Sequence, residues 1–258
     1  GLKTLALSYR SATEGASMQL SLGVPEANRT GIFKILTAEK LESAPPSFVP
    51  IDVTKFWRWR LSLPKAWAGL ENMLTGISPS FGGVLQLVMD SAGKDKDPNY
   101  DLKKELVGNF GDDVISYQRK PTNPSIAELS SSPSLFLIGS PNAEKLASAI
   151  KTGMSALLPA PMEERDFLGR KIYKLPSAPN AAKGAGGNLS FAPGGGYLAL
   201  STDVPALEEY LRSSENKPKA LSETVGFKEA AEKVGGTGLG LFGFNNQAEE
   251  MRATLTAL

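Results

Sequence analysis

The most distinctive chemical string in this chain is Phe56-Trp57-Arg58-Trp59-Arg60. Side chains of a strand alternate, so Phe56, Arg58 and Arg60 share one face while Trp57, Trp59 and Leu61 share the other. Two guanidinium groups at that spacing make a fork for carboxylate, phosphate or sulfate groups, and Phe56 would add a stacking face. The structural alternative buries the tryptophans under the following helix and leaves the arginines to pair with acids.

Two acidic strings also have chemical potential. Asp112 and Asp113 are adjacent carboxylates able to hold a metal or act as an acid–base pair. A turn explains them equally, and an early strand start would point them apart. Asp95, Asp97, Asn99 and Asp101 alternate like the oxygen ligands of a calcium loop. Tyr100 and Leu106 stand where an EF-hand needs glycine and a bidentate acid, and Lys94 and Lys96 weaken the field, which favours a solvated turn.

Other strings fail on geometry. Gly238-Leu-Gly-Leu-Phe-Gly243 satisfies G-x-G-x-x-G, but its glycines fall within a strand rather than in a strand-to-helix turn. Ser148-Ala-Ile-Lys151 and Lys151-Thr152-Gly153 resemble motifs of penicillin-recognising enzymes, yet they share one lysine on one helix and cannot play two roles.

The 258 residues include no histidine and no cysteine. That removes Ser-His-Asp and Cys-His catalysis, ordinary zinc sites and disulfides. No cofactor is expected. Charges balance at 28 Lys+Arg against 27 Asp+Glu, so the bulk attraction nucleic-acid binders depend on is missing. No apolar run approaches the roughly 18 residues of a membrane span. At 41% hydrophobic and 21% charged, the chain can bury a sizeable core.

The elements positioning these residues read as an internal duplication. Ser21–Pro25 aligns with Ser201–Pro205 at an offset of 201 − 21 = 180, each after an alternating apolar run. Each copy reads as a hairpin, a proline-started helix, a strand and a helix: strands at Lys55–Leu61 and Gly238–Phe244, helices at Pro64–Ile77 and Asn246–Leu258. Ser134–Gly139 opens a further βα step reaching Leu157, then a strand over Asp166–Leu175. If the copies are equivalent, the first lacks that βα step, and its first elements are expected to have been removed or to come from elsewhere.

The expected fold is α+β, with two related halves whose antiparallel sheets are each covered by helices on one face. The first half spans residues 1–132: repeat unit 1–77, helical segment 78–110 and linker 119–133. The second spans 133–258, with its repeat unit over about 182–258. Ala178–Gly187 reads as a mobile loop.

Several stretches resemble an uncharacterised family of exported bacterial proteins found in large paralogous sets: Ser17–Leu22, Phe48–Pro50, Phe56–Arg60, Gly108–Asp113, Ile115–Tyr117, Phe136–Pro141, Phe167–Tyr173 and Ser201–Ser213. The resemblance implies a periplasmic or envelope location and a duplicated α+β domain; separately, the Gly1-Leu2 start leads us to expect that a leader or anchor has been removed. It carries no activity and no catalytic residue.

The expected function is therefore a non-catalytic exported binding or interaction protein. Its partner is an unknown protein or small anionic ligand, met at Phe56, Arg58 and Arg60. A carboxylate-dependent hydrolase using Asp112 and Asp113 is one alternative, and a structural envelope module is the other. The oligomeric state is open.

Overall fold

The computed structural model describes residues 2–13, 15–29, 39–120, 133–158, 160–176, 189–213 and 219–257. Nearly all of the proline-rich linker and the whole Ala178–Gly187 loop lie outside them.

The chain opens with a hairpin, β1 (Thr4–Ala12) and β2 (Gly15–Gly23), followed by a 3-10 turn at Glu26–Asn28. Then come β3 (Val53–Arg60), α1 (Leu63–Ile77), α2 (Pro79–Ser91), α3 (Leu102–Val107) and β4 (Asp113–Arg119). The remainder runs β5 (Ser134–Gly139), α4 (Ala143–Leu157), β6 (Glu163–Phe167), β7 (Arg170–Lys174), β8 (Ser190–Gly194) and β9 (Tyr197–Ser201). It closes with α5 (Val204–Ser213), α6 (Phe227–Lys233), β10 (Leu241–Asn245) and α7 (Gln247–Ala257).

The class is α+β, with antiparallel pairing throughout the described residues. The strands of residues 53–245 form one eight-stranded sheet, β10-β3-β4-β5-β9-β8-β7-β6, rather than a separate sheet for each half. β10 pairs with β3, so the C-terminal segment completes the edge of the sheet that the first half begins. Helices lie on both faces. One core joins Phe56, Ile115, Tyr117, Leu135 and Leu137 to Leu207, Tyr210 and Leu211 of α5. The other joins Phe191 and Leu198 to Leu146, Ala147 and Ala149 of α4 and to Val88, Met89 and Leu102. Every residue of β8 is accordingly buried, as befits a strand covered on both faces.

Helix boundaries follow local chemistry. Pro64 and Pro79 sit in the first turns of α1 and α2, where a missing N–H costs nothing. Asn142 and Asp101 cap α4 and α3, accepting from the Lys145 and Lys104 N–H groups. The expected strand over Asp166–Leu175 is instead the hairpin β6–β7, turned at Leu168 and Gly169. Leu168 has φ 50° and Gly169 φ 72°, the paired left-handed conformation of a tight hairpin turn. Leucine is an unusual choice there, so only Gly169 signals the turn in the sequence. β6 forms one edge of the sheet, and its Glu163, Glu164, Arg165 and Asp166 protect that edge from stray pairing.

The first hairpin differs from the rest of the molecule. Leu5, Leu7 and Tyr9 stand directly opposite Leu22, Leu20 and Met18, which gives one face that is apolar as far as Ser11, opposite Ala16. Ala6, Ser8, Arg10, Ser17, Gln19 and Ser21 make the other. All six apolar side chains are 51–73% exposed.

Candidate functional site

The arginine string and the aspartate pair, separate candidates in the sequence, meet in one cluster. β3 and β4 are neighbours, with Phe56 opposite Tyr117, Arg58 opposite Ile115 and Arg60 opposite Asp113. Arg58 reaches diagonally to Asp113: Nε lies 2.9 Å from Oδ1 and Nη2 lies 2.6 Å from Oδ2. Its Nη1 donates to the Ala44 carbonyl at 2.7 Å. Arg60 turns to Asp112, with Nη2 to Oδ2 at 2.7 Å, and donates from Nη1 to the Glu42 carbonyl at 3.0 Å. Its Nε is buried with no hydrogen-bond partner among the described residues, 3.8 Å from Asp113 Oδ1.

A third strand contributes a donor that sequence reasoning missed. Tyr197 Oη, at the start of β9, donates to Asp113 Oδ2 at 2.8 Å. Tyr197 pairs with Gly139 of β5, which lies between it and Asp113. A Cβ on Gly139 would stand 3.0 Å from the Asp113 Cβ and carbonyl oxygen, so the glycine is the opening through which the phenol reaches the carboxylate. The Gly111 N–H caps the same place by donating to the Gly139 carbonyl at 2.8 Å. The Tyr197–Asp113 contact joins residues 84 positions apart, and no local pattern announces it.

The electrostatics follow from burial. Side-chain exposure is 13% for Arg58 and 9% for Asp113. Burial opposes the charge on Arg58, but the hydrogen bonds and charge of Asp113 outweigh it and raise the guanidinium pKa. Burial, then the Asp113 carboxylate, pushes the Tyr197 phenol well above its ordinary range, so it stays a donor. Hydrogen bonds from Thr237 and the Ala44 N–H hold the Glu42 carboxyl below its ordinary range and fix the loop that receives both arginines. Phe48 packs edge-on against both Tyr197 and Tyr210 and supports the phenol from behind.

Beside the cluster lies an open cleft of about 600 Å³, lined among others by Glu39, Pro64, Phe110, Asp112, Ser140 and Tyr197. The charged groups it presents are chiefly carboxylates: Asp112 is 45% and Glu39 41% exposed. The fork expected to take an anion is already occupied by Asp112 and Asp113. Phe56 offers no stacking surface, because it is 2% exposed inside the core. Trp57, on the opposite face, packs edge-on against Phe136. The third candidate is not brought together. Asp97 Oδ1 accepts from the Asn99 N–H and Asp101 Oδ1 caps α3. Among the described residues no group of three or more acidic side chains is placed to hold a metal ion. A second hollow of about 310 Å³ beside Tyr117 and Tyr210 is likewise self-neutralised, with Arg119 bonded to Asp52 and Glu209.

Compared with protein-family models, curated proteins and solved structures, the chain matches none of them. Function must be argued from the residues.

Proposed function

We propose that the protein is a non-catalytic, exported interaction protein on a duplicated α+β scaffold, and that it binds polypeptide rather than a small anion. The observation that carries this reading is the apolar face of β1–β2. A two-stranded hairpin has marginal stability in water unless another layer covers it. Six large apolar side chains aligned on one exposed face mark an interaction surface.

The charged cluster supports the same reading. Carboxylate hydrolysis needs two acids flanking a reacting bond. Asp112 and Asp113 are instead tied to Arg60 and Arg58, and Asp113 also accepts from Tyr197. The duplication gains support from the hairpins, since β1–β2 and β8–β9 are both antiparallel pairs and each precedes a Val-Pro pair.

The test is capture from a native envelope fraction by the wild-type chain and by Leu7→Asp/Leu20→Asp. Partner retention by the wild type and loss by the variant is expected. Equal retention by both would remove the hairpin from the reading. Cell fractionation checks the envelope location, and a cytosolic protein would contradict it.

A further inference from the structure

The hairpin is not the chain's one uncovered apolar surface. Helix α2 reads Pro-Ser-Phe-Gly-Gly-Val-Leu-Gln-Leu-Val-Met-Asp-Ser, with Asp90 its single charge. Val88 and Met89 bury one side of it in the core. The same apolar stripe runs on towards the N-terminus through Val84 and Phe81, with Leu87 on its flank, and there it is uncovered: the three are 54%, 68% and 66% exposed, continued by Ile77 at the end of α1, 72% exposed. A surface helix ordinarily turns its apolar stripe to the core and its polar side, here Gln86 and Asp90, to water, so an uncovered length of that stripe marks a contact surface. Gly83 adds a bare patch where a Cβ would meet nothing within 4 Å.

We infer that these two surfaces cover each other between two copies of this chain: the β1–β2 hairpin of one copy lies on the α2 face of the other, and the exchange is reciprocal. This rests on the interaction reading above and names the partner as a second copy.

Three observations lead there. The first is a precedent inside the fold, where the hairpin β8–β9 is covered by helix α4 through Phe191, Leu198, Leu146 and Ala149. An amphipathic hairpin under an apolar helix is thus the packing this scaffold already uses. The second is charge: the inner face of the hairpin has none, and α2 has only Asp90, so contact desolvates almost no ion. The third is area. Ten side chains, each exposing on the order of 100 Å², give roughly 1,000 Å² per hairpin–helix contact and about 2,000 Å² for two. That reaches the range of stable dimers, whereas two hairpins stacked on each other would bury little more than half of it. Reciprocity closes the assembly as a two-fold dimer, because a one-way contact would propagate into filaments.

The test uses the purified full chain. Sedimentation at concentrations on the order of 10 μM should show a dimer. Leu7→Asp/Leu20→Asp and Phe81→Asp/Leu87→Asp should each raise the dimer dissociation constant about 100-fold or more. All four positions are exposed, so far-ultraviolet circular dichroism should be unchanged. An equimolar mixture of the two variants should recover a heterodimer, since one intact hairpin then meets one intact helix.

The chain has no cysteine of its own, which allows a direct check on geometry. Leu20→Cys on one copy and Val84→Cys on another should form an intermolecular disulfide on mild oxidation. A monomer, a filament, a helix variant that still dimerises, or a mixture that stays monomeric would each overturn the inference. So would a monomer that binds anionic lipid vesicles through the same residues. A monomer whose hairpin variant loses an envelope partner overturns the second-copy partner and leaves the interaction reading standing. If the hairpin variant changes neither association nor capture, both fall.

Discussion

Arg58 pairs with Asp113 on the diagonal, not with the residue opposite it in the ladder. Ile115 faces Arg58, and Asp113 faces Arg60. Long side chains reach diagonal neighbours across a ladder. Here the shift sends the more enclosed arginine to the more enclosed aspartate and leaves Arg60 for the outer Asp112. The result is a strut between β3, β4, β9 and the Glu42–Ala44 loop.

Removing one partner of such a pair strands a buried charge, which costs more than the pair contributes. Asp113→Ala is expected to destabilise the fold by about 3 kcal/mol, lowering the melting temperature by roughly 6–12 °C for a chain of this length. Replacing both residues, in Arg58→Met/Asp113→Leu, should recover most of that loss. Denaturant melts measure both, and a cost below about 1 kcal/mol for Asp113→Ala would show the pair to be solvated.

Gly139→Ala should disturb the same strut from the side. The new Cβ would meet the Asp113 Cβ and carbonyl oxygen at 3.0 Å, and backbone on both strands limits relaxation. Overpacking of this kind costs about 1–3 kcal/mol. Tyr197→Phe should be milder, near 1 kcal/mol, because one hydrogen bond is lost without a clash. If Gly139→Ala proves neutral, the close approach of β4 and β5 is looser than it stands here.

Stability should decline above about pH 10. Burial raises the phenols of Tyr117, Tyr197 and Tyr210 in the folded chain. A raised pKa gives stability that is complete below the unfolded value. It is lost as pH climbs towards the folded value, because the unfolded chain ionises first. Phenolate absorbance should therefore lag in the native protein and appear with unfolding. Immediate titration of all six tyrosines at pH 10 would contradict the burial. On the acid side, hydrogen bonds from Lys151 and Lys171 take Glu164 from 4.5 to about 2. Its contribution is present above 4.5 and fades as pH falls towards 2. Glu164→Gln should flatten that part of the stability curve, by an amount that salt screens away.

Leu168→Asn should stabilise the protein by about 1 kcal/mol, since a branched side chain at φ 50° is strained and asparagine tolerates that region. Leu168 is 48% exposed, so the exchange opens no cavity. A rise of a few degrees in melting temperature is the expected result, and a fall would mean that Leu168 holds a contact worth more than its strain.

Helices and most strands were legible because they rest on local signals: the first-turn prolines of α1 and α2, the apolar spacing of α4, and the alternation of Phe56–Arg60. The β6–β7 hairpin was misread because Leu168 occupies a position where asparagine or glycine would have marked a turn. The union of two expected sheets into one was not legible, since β10 meets β3 from the far end of the chain. For the candidate site, the residue types were visible and their partnership was not. Asp113 lies 55 positions from Arg58 and 84 from Tyr197.

The sequence by itself determined what chemistry is missing. With no histidine and no cysteine, Ser-His-Asp and Cys-His catalysis and ordinary zinc sites have no side chains to run on. It also determined that Phe56, Arg58 and Arg60 would share a face, because alternation is a property of any strand. Only the tertiary structure decided what that face meets. Strand order brought Asp113 and Tyr197 to the arginines and closed the fork on itself, while the β1–β2 hairpin stayed outside the sheet with its apolar face uncovered. Long-range register depends on many weak contacts summed across the fold, and no short stretch of sequence encodes that sum.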